Sequence, residues 1–299
     1  MELRQLQYFL AVVELGSFTK AAQRLSVTQP GVSAQIKQLE EELGEVLLQR
    51  ADRLVSLTAA GEVFLPFARA AVSAADDGRA AIQQLTGLLG GRVVIGTVYS
   101  CGFPGVPSVL AEFRQAFPEV EISLTEGNSD RLIVALQKGE LDLALVGLAG
   151  VAPSGIETQV LVDEPIVAAV VHGHPLASGA SISLETLCEQ TIIAMPRGTG
   201  VRACFDLGCK AAKLDPHVAF EVSNLGVVAQ LACAGLGVAL LPESVAAPLK
   251  DDLHALSVIP PLRSRLELAW RADGVQSPAA RELVARARKK FAELARPQK

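Results

Sequence analysis

The sequence has few aromatic residues, no excess of basic charge and no unbroken apolar run of membrane length. One Trp and two Tyr occur in 299 residues, although half of the chain is hydrophobic. The core must therefore be packed mainly from Ala, Val and Leu, as in α/β folds. The net charge of −5 excludes nucleic-acid binding through overall charge, so any such contact depends on where single charges lie.

Other missing features restrict the cellular compartment in which the protein is expected. Residues 225–242 approach membrane length, but glycines and Pro242 interrupt them, which predicts a buried helix, a glycine turn and a core strand. The first residues lack the basic start and apolar run of a secretory signal. Five cysteines at no metal-ligand spacing fit reduced thiols. We expect a cytoplasmic protein.

Residues 18–43 predict two short helices joined by a tight connection, after a first helix that ends at Gly16. Thr19 is the predicted cap of the second helix, over residues 20–25. Thr28 or Gln29 caps the third, with Pro30 in its first turn, where the missing N–H costs nothing.

The third helix has two distinct faces. At about 100° per residue, the apolar residues form one stripe, composed of Val32, Ile36, Leu39 and Leu43. An adjacent stripe carries small polar groups and one lysine. Gln can read base edges, a proline ring can touch a thymine methyl, and Ser and Lys suit phosphates. The candidate DNA-binding residues of this helix are Thr28, Gln29, Pro30, Ser33 and Lys37. The competing interpretation is an amphipathic helix with a solvated polar face.

The following segment favours the DNA-binding interpretation. Residues 47–57 alternate around an Ala51-Asp52 turn, which predicts a two-stranded wing with Arg50 and Arg53 beside the DNA backbone or minor groove. A long helix then begins at the Thr58 cap and continues to about Leu89. Small and apolar residues recur in it at heptad spacing, which predicts that it pairs with a second helix. The two heptad-spaced rows are Phe64, Ala71, Gly78 and Leu85, and Ala68, Ala75, Ile82 and Leu89.

These features together resemble the LysR-type transcriptional regulators, over essentially the whole chain. The resemblance places Gln29, Pro30, Ser33 and Lys37 at groove-facing positions and implies homodimers through the linker helix, commonly paired into tetramers. It also implies double-stranded operator DNA and a small-molecule effector as partners. Ala34, Leu54 and Ser56 stand where many members are basic, which predicts a shallower salt dependence.

After Gly90-Gly91 the pattern alternates between strands and helices, which predicts two doubly wound subdomains. The predicted fold class is α/β, with a winged helix-turn-helix (1–58), a linker helix (59–89) and an effector domain (90–299) resembling periplasmic binding proteins. Subdomain I takes about 90–161 and 266–299, and subdomain II about 162–265. The two open sheets are expected to be joined by two crossings.

The cleft between the subdomains is the predicted effector site. Ligands in such folds bind beyond the carboxyl ends of the strands, beside helix N-termini, where hydroxyls, amides and free N–H groups favour a small carboxylate or similar anion. The candidate residues are Ser100, Cys101, Gly127, Asn128, Arg197, Thr199, Gly200 and Asn224. The alternative for Asn128, Thr199 and Asn224 is that each only caps a helix.

Other chemistry in the sequence is weaker. Cys204 and Cys209 could form a redox switch. However, side chains five residues apart on one helix point in different directions, which places their sulfurs too far apart for a disulfide. His172 and His174 lack a third metal ligand, and no nucleophile triad or paired carboxylate predicts an enzyme. No cofactor or metal is predicted. The alternative function is a cytosolic small-molecule-binding protein whose N-terminal helices serve only dimerisation.

Overall fold

A computed structural model describes residues 1–51, 54–85, 90–99, 101–103, 105–272 and 277–294. The N-terminal elements are α1 (Leu3–Leu15), α2 (Phe18–Arg24), α3 (Gln29–Leu43), β1 (Leu48–Ala51), β2 (Leu54–Leu57) and α4 (Ala59–Leu85). Gly16 follows α1 in the left-handed conformation (φ 60°), which glycine adopts without a Cβ clash. The predicted end of the first helix is confirmed.

The helix caps agree with the sequence at α3 but not at α2. Thr28 Oγ1 accepts a hydrogen bond from the Gly31 N–H at 3.3 Å, as predicted. The predicted Thr19 cap is wrong, because Thr19 already lies inside α2. Ser17 holds the extended backbone that a cap needs, and its side chain accepts from the Lys20 N–H at 3.4 Å.

The predicted hairpin is present, with one difference at its turn. Ala51 pairs with Leu54 as the last rung of β1 and β2, so placing Ala51 in the turn is wrong. Alternation indicates which residues share a face but leaves the last paired residue open. Asp52 and Arg53 lie outside the described residues.

The predicted pairing face of the long helix is partly wrong. Ala68 is buried in the N-terminal core and the Phe64 ring lies 5.6 Å from that of Phe9. These two positions therefore pack within the chain. The exposed stripe of α4 keeps three predicted positions, Ala71, Gly78 and Ile82. It runs at helical spacing through Val63, Phe67, Ala71, Ala74, Gly78 and Ile82. Leu89 lies outside the described residues.

The remaining elements alternate as predicted. They are β3 (Gly91–Val98), α5 (Gly105–Ala116), β4 (Val120–Gly127), α6 (Ser129–Gln137), β5 (Leu143–Leu148), β6 (Ile156–Val171), β7 (Ser181–Ser183), α7 (Leu184–Cys188), β8 (Ile192–Ala194), α8 (Gly200–Ala211), β9 (Val218–Glu221), α9 (Leu225–Cys233), β10 (Val238–Pro242), α10 (Glu243–Ala246), β11 (Leu253–Arg271) and α11 (Pro278–Leu294). In the described chain the strands follow the order β4-β3-β5-β11-β6-β10-β8-β9, with β7 beside β11.

The two crossings are longer than the sequence predicts. β6 has 16 residues and β11 has 19, and they pair antiparallel with a register shift between Ser257 and Leu262. The apolar runs of the sequence predict only short strands here, at 166–171 and 266–271. Pro165, Pro260 and Pro261 hide the longer strands in the sequence, because proline lacks the N–H of a regular ladder. This pairing joins the two predicted sheets into one hydrogen-bonded series.

Each part of the chain has its own core. Phe113, Leu268 and Phe291 lie in one half of the C-terminal region, and Phe205 and Leu240 lie in the other. Residues 225–242 form α9, a turn at Gly235 and β10, as predicted. Among the described residues, no helix is both long and apolar enough to cross a membrane.

Candidate nucleic-acid interface and effector cavity

The two faces of α3 lie as its sequence predicts, except at the last turn. Val32, Ile36 and Leu39 are buried in the N-terminal core. Leu43 is wrongly placed in that stripe, because it is 39% exposed at the end of the helix. The adjacent face is open: Thr28, Pro30, Ala34 and Lys37 are exposed, and Gln29 and Ser33 are half-buried.

The only lysine of α3 is held weakly. The Lys37 side chain is 76% exposed, and its ammonium lies 3.4 Å from the Glu41 carboxylate one turn further on. Exposed pairs of this kind contribute about 0–1 kcal/mol. A phosphate could therefore replace Glu41 at little cost.

Two carboxylates at the acidic end of α3 bind groups of the protein itself. Glu40 Oε1 accepts hydrogen bonds from the Leu47 N–H at 2.8 Å and the Leu48 N–H at 3.1 Å. Glu42 binds the N-terminal ammonium at 2.6 Å. Glu40 thus fixes the start of the hairpin to α3, a contact that the sequence does not predict. A carboxylate eight residues before a strand gives no recognisable signal of this contact.

The backbone of the hairpin is also tied to α1, since the Val55 N–H donates to the Gly16 carbonyl at 3.2 Å. α3 and the hairpin thus form one connected surface. The side chain of Arg50, and Arg53 as a whole, lie outside the described residues.

A cavity of about 500 Å³ lies between the two halves of the C-terminal region. Three predicted effector residues, Cys101, Thr199 and Gly200, line it. Most of the other described lining residues are apolar, including Val98, Phe103, Val162, Met195, Val201, Leu225, Val245 and Leu266. Ser100 lies outside the described residues. The volume and the apolar walls suit a small organic molecule.

The start of α8 forms part of the cavity wall. Thr199 makes no side-chain cap, because its hydroxyl donates to the Pro196 carbonyl at 2.7 Å. An α8 turn without a side-chain cap offers backbone N–H groups to an anion. Gly200 packs on Gly147 across the cleft, and a Cβ at Gly200 would lie 2.6 Å from the Gly147 backbone. Only glycine permits this approach.

The other predicted residues do not line the cavity. The Gly198 carbonyl accepts from the Asp130 N–H at 3.3 Å and so occupies the start of α6, next to Gly127 and Asn128. Asn128 Oδ1 caps α6 through the Arg131 N–H at 2.9 Å, and Asn224 Oδ1 caps α9 through the Val227 N–H at 3.2 Å. The Arg197 side chain is exposed and lies 3.8 Å from Asp206.

Five polar residues line the cavity outside the set that the sequence predicts: Tyr99, Glu164, Ser244, Ser264 and Arg265. Glu164 accepts from the Ser244 N–H at 2.6 Å and from its hydroxyl at 2.9 Å. Glu164 and Arg265 lie in the parts of β6 and β11 that the sequence does not predict as strand. No local signal therefore identifies them.

The histidines and cysteines considered for a metal site or a redox switch contact other groups of the protein. His172 Nε2 lies 2.9 Å from the Lys250 carbonyl, and His174 Nδ1 accepts from the Leu176 N–H at 3.2 Å. The described part of the chain contains no cluster of His, Cys, Asp and Glu that could hold a metal ion. Cys204 and Cys209 both lie in α8, and the Cys209 sulfur lies 3.6 Å from Cys188 Sγ.

Comparisons with known proteins agree with this arrangement. Residues 3–62 match the family described as bacterial regulatory helix-turn-helix protein, lysR family, and residues 86–292 match the LysR substrate binding domain. The chain is similar to the HTH-type transcriptional regulator AlsR of Bacillus subtilis (strain 168), with 38% identity over 82% of this chain and 81% of that protein.

Solved structures are similar over nearly the whole length. A full-length OxyR variant from Pseudomonas aeruginosa gives a TM-score of 0.75 at 25% identity, covering 97% of this chain and 94% of that one. Full-length CbnR complexed with its target DNA gives a TM-score of 0.59 at 28% identity, covering 97% of this chain and 100% of that one.

Proposed function

Since this chain belongs to the LysR family of transcriptional regulators, we propose that α3 and its hairpin are the surface through which it reads a DNA sequence. The contacts assigned to this surface are Thr28, Gln29, Pro30, Ser33 and Lys37 in the major groove, with Arg50 and Arg53 of the wing at the backbone or minor groove. The protein is a DNA-binding transcription regulator with a substrate-binding-like effector domain.

One observation carries the DNA-reading assignment. α3 buries Val32, Ile36 and Leu39 completely while its neighbouring face stays open to solvent. A helix held rigidly by one face can present the other to base edges without rearrangement. The binding of Glu40 and Glu42 by the protein itself keeps two carboxylates from repelling the phosphates.

A competition titration tests this assignment. The full-length protein is titrated onto labelled DNA from upstream of its own gene, with random duplex as competitor. We expect saturable binding that random DNA displaces only at about a thousandfold excess or more. Equal affinity for both duplexes would contradict the assignment and favour a small-molecule-binding protein that lacks sequence choice.

We further propose that the cavity between the subdomains binds the effector, and that the effector is a small organic anion. The apolar walls hold its carbon skeleton and the start of α8 holds its negative group. The anion belongs beside Thr199 and Gly200 rather than beside Glu164, since like charges repel. Cys101 lines the same cavity, and Ser100 is assigned to it from the sequence.

Thermal-shift measurements with paired ligands test the effector proposal. Each small carboxylic acid is compared with its uncharged primary amide, which keeps the shape and removes the charge. We expect at least one acid, but not its amide, to raise the melting temperature, as binding to the folded state requires. Equal shifts for acid and amide would contradict the anionic assignment.

The remaining proposals follow from family membership. We assign a cytoplasmic homodimer joined through α4, with dimers paired into tetramers, and no enzymatic activity. The division into 1–58, 59–89 and 90–299 is proposed for the same reason. A ligand that closes the cleft would change how the protomers pack together. The distance between their α3 helices would change as a result.

A further inference from the structure

Two cysteines far apart in the sequence have adjacent sulfur atoms. Cys188 is the last residue of α7 and Cys209 lies near the end of α8. Their Sγ atoms are 3.6 Å apart. This pair differs from the Cys204 and Cys209 pair that the sequence suggests, and neither the effector cavity nor the DNA surface uses it.

We propose that Cys188 and Cys209 form a disulfide when the protein meets a peroxide, which makes this pair a reversible modification site. A disulfide requires the sulfurs to approach to about 2.05 Å. The two sulfurs already touch, so side-chain rotation and small shifts at the end of α7 suffice. The cross-link would tie α7 to the helix whose first turn lines the effector cavity.

The two thiols have different access to solvent, which assigns their roles. Cys188 is half-buried, whereas Cys209 is 1% exposed. The Cys188 thiolate therefore attacks the peroxide oxygen, giving Cys188 sulfenic acid and hydroxide. The Cys209 thiolate then attacks the Cys188 sulfur, the S–S bond forms and the sulfenic oxygen leaves as hydroxide. The two protons released by the thiols convert both hydroxides to water. In total two thiols lose two protons and two electrons, and one hydrogen peroxide becomes two waters.

The surroundings make this reaction slow at neutral pH. Burial, together with the neighbouring Cys188 thiol, raises the pKa of Cys209 to about 12, and burial also raises the pKa of Cys188. Only thiolates react, and the thiolate fraction grows about tenfold per pH unit below the pKa. We therefore expect cross-linking to quicken about tenfold between pH 7 and pH 8.

Peptide mass spectrometry on the full-length protein tests the proposal. The reduced protein is treated with hydrogen peroxide at pH 8, its free thiols are blocked, and it is digested without reductant. We expect a peptide joining 188 to 209 and a fall from five free thiols to three. The oxidised protein should melt roughly 3–8 °C higher than the reduced protein, and a reductant should reverse the shift.

Matched variants identify the pair. The Cys188→Ala protein should keep its remaining four thiols under the same treatment. The Cys204→Ala protein lacks a buried cysteine of α8, the helix of Cys209, and should still cross-link. A Cys204–Cys209 peptide, or oxidation of Cys188 without any cross-link, would overturn the proposal. Because the wild-type protein supplies the primary result, poor folding of a variant does not decide the outcome.

Discussion

At the scale of single residues, the DNA-reading face depends on side chains whose own partners are weak. Lys37 forms an ion pair with a solvent-exposed glutamate, Glu41, at 3.4 Å. Such a side chain can exchange its partner for a phosphate without a large loss of stability. The contributions of α3 to affinity and to specificity should therefore be separable by substitution.

Lys37→Ala should weaken binding to every DNA sequence, because a phosphate contact carries no sequence information. We expect a roughly five- to tenfold loss of affinity and a decrease of about 0.9 in the slope of log K against log salt. Fluorescence anisotropy at several salt concentrations measures both. Lys138→Ala, at an exposed lysine of the C-terminal region, is the control and should change neither.

Gln29→Ala should instead reduce the preference between sequences. A glutamine that reads a base edge contributes about 1–3 kcal/mol of discrimination against a wrong base. Affinities for the operator and for single-base variants of it should converge at one position of the site. Unchanged discrimination at all positions would show that Gln29 does not read a base.

Asp142 offers a test of pH dependence. Burial raises the pKa of its carboxyl above the ordinary value of 3.8, although Oδ2 accepts a hydrogen bond from the Val94 N–H at 2.7 Å. The ionised form therefore disfavours folding. This cost is absent below pH 3.8, where the carboxyl is protonated in both states, and is fully present above the raised pKa.

Asp142→Asn should accordingly stabilise the protein more at pH 7 than at pH 4, because it removes the charge and keeps an acceptor for Val94. Denaturant unfolding at the two pH values measures the difference. Asp142→Ala is the control, since it removes the acceptor as well and should destabilise. A larger stabilisation by Asp142→Asn at pH 4 would contradict the argument.

At the scale of elements, the effector cavity depends on how closely α8 approaches β5. Gly200 begins α8 and Gly147 lies in β5, and their backbones touch across the cleft. The Gly198 carbonyl also binds the start of α6. These contacts place the uncapped turn of α8 in the cavity wall and close the start of α6 to ligands.

Gly200→Ala should force α8 away from β5, because its Cβ would lie 2.6 Å from rigid backbone atoms. We expect destabilisation of about 1–3 kcal/mol, the usual cost of overpacking, together with loss of any ligand-induced thermal shift. Gly173→Ala is the matched control, since nothing lies within 4 Å of its Cβ, and it should change stability by less than about 0.5 kcal/mol. Differential scanning calorimetry gives both values.

At the scale of the whole molecule, α4 connects the DNA-reading part to the effector part. Its first turns pack into the N-terminal core through Ala68. The next residue, Arg69, forms an ion pair with Glu140 of the C-terminal region, so one stretch of the helix contacts both parts of the chain. Its exposed apolar stripe, which includes Val63 and Phe67, is the surface on which a second protomer is expected.

Phe67→Glu should therefore weaken the homodimer, because it places a charge where an apolar side chain, 67% exposed in the single chain, would be buried between protomers. Sedimentation velocity at micromolar concentrations should show a species of about half the mass of the wild-type oligomer. Val151→Glu is the control, since Val151 is 97% exposed in the C-terminal region, and it should leave the oligomer intact. A Phe67→Glu protein with the same mass as the wild-type oligomer would contradict pairing through this stripe.

The sequence alone determined the features set by local periodicity and capping. The buried stripe of α3, the Thr28 cap and the alternation of strands and helices follow from spacing within a few residues, which a linear pattern records. The burial of Leu43 was predicted wrongly because it depends on where the core ends, which spacing along a helix does not show.

Only the tertiary structure decided which distant residues meet. The positions of Glu164 and Arg265 in the cavity wall, the contact of Gly200 with Gly147 and the Cys188–Cys209 pair depend on strands and helices that pack together from remote parts of the chain. The prolines of β6 and β11 conceal the long crossing strands, since ladder pairing is a property of two segments rather than one. The site therefore arises from packing, whereas the reading helix is already present in its own sequence.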